Sequence, residues 1–150
     1  MSIQDSGNRT CFDSGAVRDI QYGKGRCDLL PLDVVANGMK SDVIDQIFSY
    51  SKTSDVSYLY GALNSCIEHG LFNNYPDMVL EVSKHFEEGA NKYGERNWEK
   101  GIPEDRYIDS AVRHYLKYKR GDSDERHDRA FAWNIMCLIW THEHITKEGA

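Results

Sequence analysis

The chain has 150 residues, with 18 Lys and Arg against 24 Asp and Glu, and a formal net charge of −6. That length suits one domain burying roughly two-thirds of its unfolded surface, and 40% hydrophobic content excludes wholesale disorder. No apolar run reaches the roughly 18–20 residues of a membrane span, Met1–Gly15 is polar, and the acidic balance argues against a nucleic-acid binder, so neither a membrane nor a DNA duplex is expected as partner.

Residues 1–31 are rich in glycine and charge and show no sustained apolar period, which predicts an irregular N-terminal arm reaching to about residue 35. Within it, GAVRDIQYGKGRCDLLP gathers Arg18, Lys24 and Arg26 around Gly23 and Gly25. Flexible glycines with basic residues can wrap phosphates, although the spacing is not that of a P-loop. From Ser41, a plausible N-cap, Val43, Ile44, Ile47 and Phe48 form one apolar helical face. Val56, Leu59, Tyr60, Leu63 and Ile67 then repeat with helical spacing up to Gly70.

A third helix is expected from Pro76 to Gly94, with Val79, Val82, Phe86, Ala90 and Tyr93 as its buried stripe. Glu81, His85, Glu88 and Lys92 recur along one polar stripe of it, with Glu87 about 100° round from Glu88. The pair can present carboxylates to adjoining faces, and a solvated charged face is the more ordinary account of the same pattern. Gly89, inside the same helix, suggests close approach of another backbone or of a ligand.

A fourth helix spans Glu104–Arg120, with Arg106, Asp109, Arg113, Lys117 and Arg120 on one face and His114 beside Arg113. Asp109 and Arg113 can pair at i, i+4, while Arg113 and Lys117 place two cations side by side, which is mildly unfavourable unless an anion such as phosphate lies between them. A fifth helix is expected from a cap at Asp122 or Ser123 to about Glu143, with Ala132–Trp140 central. Its acidic start suits the helix dipole, and His127 and Asn134 lie two turns apart on one stripe. That pair can hold a base or a metal-bound water, or be a satisfied core pair. No segment alternates long enough for a confident strand, so the fold class is all-α, a helical bundle with an N-terminal arm. Cys11, Cys27, Cys66 and Cys137 form no C-x-x-C pair and read as reduced thiols of a cytosolic protein, Cys66 and Cys137 being buried.

Three blocks, GAVRDIQYGKGRCDLLP, HFEEGANKYGERNWEKGIPEDRYIDSAVRHYLKYKRGD and DERHDRAFAWNIMCLIW, in that order, resemble the phage dATP/dGTP diphosphohydrolase family, the MazZ type of MazG-like enzymes. The resemblance covers roughly residues 15–34 and 76–142, and residues 36–74 look like a helical insertion before core helices over 75–146. It implies an all-α pyrophosphohydrolase that splits the α–β bond of dGTP or dATP, giving the monophosphate and pyrophosphate for phage nucleotide metabolism in the host cytoplasm. It also implies Mg²⁺ or Mn²⁺ and a homodimer or homotetramer.

MazG-type enzymes hold metal with E-x-x-E on one helix and E-x-x-D on another. Aligned through Trp133 and Asn134, the second position falls on His127 and Ala130, and a literal Glu125-x-x-Asp128 lies out of that register, on another face. The expected metal ligands are therefore Glu87, Glu88, Glu125 and Asp128, with Asp109 in reserve and Glu87 and Glu88 the catalytic pair. The expected substrate contacts are Lys24, Arg26, Lys92, Arg113, His114 and Lys117 for phosphate, with Asn97, Trp98, His127 and Asn134 for base or sugar. The other reading of the same residues is a non-catalytic helical protein that binds a nucleotide or a host target.

Overall fold

The computed structural model describes residues 5–146, so residues 1–4 of the expected arm lie outside the described residues. Six helices carry the fold: α1 Leu32–Met39, α2 Asp42–Thr53, α3 Ser57–Glu68, α4 Tyr75–Tyr93, α5 Glu104–Arg120 and α6 His127–Thr141. A π-helical turn, His142–Thr146, follows α6. The fold is all-α but for one small hairpin, β1 Arg9–Cys11 against β2 Val17–Asp19, with Arg9 opposite Asp19 and Cys11 opposite Val17. Three-residue strands are too short to show alternation, which is why the arm reads as irregular in sequence.

Helix starts follow capping chemistry. Ser41 Oγ accepts the Ile44 N–H at 3.1 Å, and Asn74 Oδ1 accepts the Asp77 N–H at 2.9 Å with Pro76 in the first turn. Helix α1 escaped the periodicity because only Leu32 and Ala36 are buried and its Val-Val and Asn-Gly pairs are poor helix formers. Helix α6 begins at His127, later than the expected 122 or 123. Gly121 ends α5 in a left-handed conformation, and Asp122–Arg126 then stays non-helical, as Asp and Ser side chains favour. That delay matters, because it lets Glu125 point back at α5.

Helix α6 sits centrally, packed on α5 and α4, while α1–α3 stack beside it. Ile44, Ile47, Leu59, Leu63, Met78, Tyr107, Phe131, Ile135 and Leu138 are fully buried, each stabilising by about 1.5–3 kcal/mol. In α4 the buried positions are Met78 and Val82, and Val79, expected inside, is 43% exposed. Where α3 crosses α2, Gly61 leaves room for Gln46, whose amide oxygen would lie 1.6 Å from an added Cβ. All four cysteines are free thiols, with Cys66 and Cys137 buried as expected.

Candidate active site

Helix α5 turns a long polar stripe inward: Arg106, Asp109, Ser110, Arg113, His114 and Lys117, at i, i+3, i+4, i+7, i+8 and i+11. That stripe is one wall of a cleft of about 1120 Å³, partly open to solvent. Helix α4 supplies His85, Phe86, Gly89, Ala90 and Tyr93, α6 supplies Trp133 and Asn134, and the 122–126 turn supplies Glu125. The loop after α4 supplies Arg96, Asn97 and Trp98, and the arm closes the cleft through Val17–Gln21 and Lys24. The arm is thus part of the site, and its hairpin places Ala16 in the core with no exposure.

Asn97 and Asp109 are chief among the side chains that hold the arm in place. Asn97 mimics a strand partner for Val17, accepting its N–H and donating to its carbonyl, both at 2.8 Å. Asp109 accepts the Cys27 N–H at 2.6 Å, the Gln21 side-chain N–H at 2.8 Å and a donor of Arg113. Burial works to raise the Asp109 pKa, but those donors outweigh it and hold the carboxyl below its ordinary value. Both residues face the cleft, yet their polar atoms are taken by the arm. Arg113 also donates to the Gly25 carbonyl at 2.7 Å, which leaves its buried Nε–H without a hydrogen-bond partner among the described residues.

At one end of the cleft lies a His–carboxylate group. The Nδ1 atoms of His114 and His127 are 2.9 Å apart, and His114 Nδ1 is 3.7 Å from Glu125. One donor atom from each of the three lies within 4.8 Å of the others. Asp124 accepts the His127 Nε2–H at 2.7 Å, which fixes the tautomer and turns the Nδ1 lone pair toward His114 and Glu125. Burial, reinforced by the neighbouring His127, pushes the His114 pKa well down, so its ring is neutral at neutral pH. Among the described residues, Asp122, Asp124 and His127 form a second such group on the other side of the shared imidazole.

Neither Glu87 nor Glu88 lines the cleft; Glu87 is exposed on α4 and Glu88 half-buried. Asp128 is forked to Arg126 at 2.9 and 2.7 Å, turned from Glu125 although only three residues away. Lys24 lines the cleft and pairs with Asp19 at 2.7 Å, while Arg26 lies outside the lining, forked to Asp28 at 2.8 and 2.7 Å. Lys92, 3.7 Å from Asp5, also lies outside. Trp98 lines the cleft and meets Phe86 and Trp140 edge-on. The first half of the expected polar stripe of α4 faces α6, with Glu81 bonded to Arg129 and the His85 ring 5.3 Å from Trp133, while Lys92 further along reaches the arm.

Gly89 meets no backbone, since an added Cβ finds nothing within 4 Å; the room there belongs to the cleft. His85, Tyr93 and Arg106, which spacing placed on helix stripes without a site role, carry no motif of their own, and the docked arm closes them into a wall.

Burial, with Arg18 and Arg129 nearby, pulls the His85 pKa down to about 3. Between pH 6.5 and 3 the unfolded chain therefore binds a proton at this site that the folded chain refuses, and stability falls as the pH is lowered through that window. In a His85→Gln variant the loss of melting temperature from pH 6.5 to 4 should be shallower than in the wild type. Parallel pH profiles would place the titrating group elsewhere.

An acidic chain has here gathered six Lys or Arg against three Asp or Glu in one cleft. It is an all-α fold whose cavity carries a surplus of positive charge, with nitrogen and carboxylate donors grouped at one end. Residues 67–149, more than half of the chain, match the family described as dATP/dGTP diphosphohydrolase, N-terminal, and the chain belongs to that family. The matched segment covers α4–α6, while the arm lies outside it. No curated protein and no solved structure matches the chain. Among the described residues, no helix is long and apolar enough to cross a membrane.

Proposed function

We propose that the cleft binds a purine deoxynucleoside triphosphate, dGTP or dATP, and that the chain hydrolyses it between the α- and β-phosphates to the monophosphate and pyrophosphate. The observation that carries this reading is the surplus of cations in a cleft that ends in His114 and Glu125, with His127 buried against them outside the lining, within a member of this family. Arg113 and Lys117, one turn apart on α5, neutralise phosphate charge, and Lys24 reaches the same space from the arm. The buried Nε–H of Arg113 gains an acceptor when a phosphate oxygen arrives.

His114, Glu125 and His127 are the residues suited to a divalent cation. Two neutral imidazoles and one carboxylate fit Mn²⁺ better than Mg²⁺, which prefers an all-oxygen octahedron. When bound, the ion supplies Lewis-acid polarisation of a phosphoryl oxygen and activation of the attacking water. Because Asp124 keeps the proton on His127 Nε2, the Nδ1–H shared between the two rings resides on His114. His114 would hold the ion through Nδ1 in the tautomer that carries the proton on Nε2 instead. This assignment moves the metal role away from Glu87, Glu88, Asp109 and Asp128, and gives Asn97 and Asp109 the task of holding the arm. A homodimer or homotetramer in the host cytoplasm, with residues 36–74 as an insertion, remains part of the reading and is checked by solution mass.

The test is incubation with each dNTP and Mn²⁺, followed by chromatography. Deoxynucleoside monophosphate and pyrophosphate are expected. Tripolyphosphate as product, or full turnover in EDTA, would overturn the mechanism, and tight binding without turnover would leave only a nucleotide-binding protein.

A further inference from the structure

The end of the cleft away from the His–carboxylate group is organised around one arm residue, Arg18. Seven α5 positions separate Tyr107 beside Arg18 from His114, a rise of about 10 Å, which matches the reach from a nucleobase to its phosphates. Arg18 enters from β2 with its guanidinium carbon 5.4 Å from the Tyr107 ring centre and 5.7 Å from that of Trp133. It donates to Asn134 Oδ1 at 3.2 Å and, at a longer 3.4 Å, to the Arg106 carbonyl. Asn134 is itself oriented by donating to the Ala130 carbonyl at 2.7 Å.

Among the described residues Arg18 has no carboxylate partner, and burial makes its charge costly. Trp133 adds a buried indole N–H with no hydrogen-bond partner among the described residues. Arg and Trp side chains can only donate. Gly89 and Ala90 leave the facing wall without side-chain bulk.

Resting on the reading that the cleft holds a purine nucleotide, we infer that Arg18 is a specificity-determining residue: its guanidinium takes the O6 and N7 acceptors of guanine and disfavours adenine. Guanine offers two acceptors along that edge, whereas adenine offers N7 beside an N6 amino donor, which would face the donors of Arg18. A phosphate is also an acceptor, so the rival occupant of the same guanidinium is the triphosphate. The two separate cleanly, because a phosphate contact treats both purines alike and is absent from a nucleoside.

The experiment measures binding of deoxyguanosine and deoxyadenosine by calorimetry, and kcat/KM for dGTP and dATP, on the wild type and on Arg18→Gln. The wild type should bind deoxyguanosine at least about tenfold more tightly. Glutamine carries a donor and an acceptor that match adenine, so Arg18→Gln should erase or reverse the preference. Equal binding of the two nucleosides by the wild type overturns the proposal without any variant.

An Arg18→Gln enzyme that loses dGTP and dATP activity in equal proportion, with nucleoside binding intact, also overturns it and assigns Arg18 to phosphate. Should Arg18→Gln fold poorly, Gly89→Leu fills the base slot while favouring the helix; it should abolish deoxyguanosine binding at an undiminished melting temperature, and retained binding counts against the slot. Preference for deoxyguanosine with no dNTP turnover would sink the hydrolase reading alone. Turnover of both purines at equal kcat/KM, unchanged in Arg18→Gln, would sink this inference alone.

Discussion

Replacing Asp109 by alanine should lower the unfolding free energy by about 3–5 kcal/mol, the range for removing one member of a buried, hydrogen-bonded ion pair. Asp109 is 2% exposed and Arg113 9%, so the arginine left behind loses its carboxylate without gaining water. The Cys27 N–H and the Gln21 amide lose their acceptor at the same stroke. Urea unfolding is the measurement, and limited proteolysis within residues 20–26 should show the arm released. A loss below about 1 kcal/mol, with the arm still protected, would mean that other contacts anchor it. Asp109→Asn should lose less, because it keeps a carbonyl for Cys27. The depressed carboxyl pKa gives the sign with pH: the contribution is present above the ordinary carboxylate pKa and is lost as the pH falls through the lower folded value.

Glu125→Gln should reduce turnover at least about 100-fold and weaken Mn²⁺ binding, read by electron paramagnetic resonance, while the melt stays near that of the wild type. The substitution keeps shape and removes charge at a side chain 3.7 Å from His114. Asp124→Asn tests the support behind the site. It stops a carboxylate from holding the His127 Nε2–H, and losses of about 10–100-fold in metal affinity are usual for such partners. If both variants bind Mn²⁺ as the wild type does, the metal does not sit on this group, and the α4 carboxylates become the next place to look.

Much of the helical frame was legible because its signals are local. Ser41 caps, Pro76 sits in a first turn, Gly94 and Gly121 stop, and the apolar spacing between them reports burial. The match to the dATP/dGTP diphosphohydrolase family likewise runs through α4–α6, where the recognisable blocks are dense. The site was legible in membership more than in role. Asp109, Asn97, Arg113 and His114 all face the cleft, but what each does depends on a partner far away in the chain. Asp109 reads as a spare metal ligand until Cys27 and Gln21 are seen to occupy it, and Asn97 reads as a base contact until Val17 does. His114 and His127 differ by 13 positions on separate helices, so no helical spacing pairs them. Glu125 reaches α5 only because α6 begins late, a consequence of turn-favouring Asp and Ser side chains that a periodicity argument treats as a helix start.

The docking of the arm also sets an order of assembly. The bonds that seat it join residues 80, 82 and 88 positions apart: Val17 to Asn97, Cys27 to Asp109, and Gln21 to Asp109. The earliest part of this stretch to leave the ribosome must therefore wait, unpaired, until α5 has been made, and closing so long a loop is entropically slow beside forming the local helix pairs. The bundle should form first and the binding wall last. A refolding experiment that follows far-ultraviolet ellipticity and nucleotide binding together should thus see the helices return ahead of the ligand, with the lag belonging to the arm.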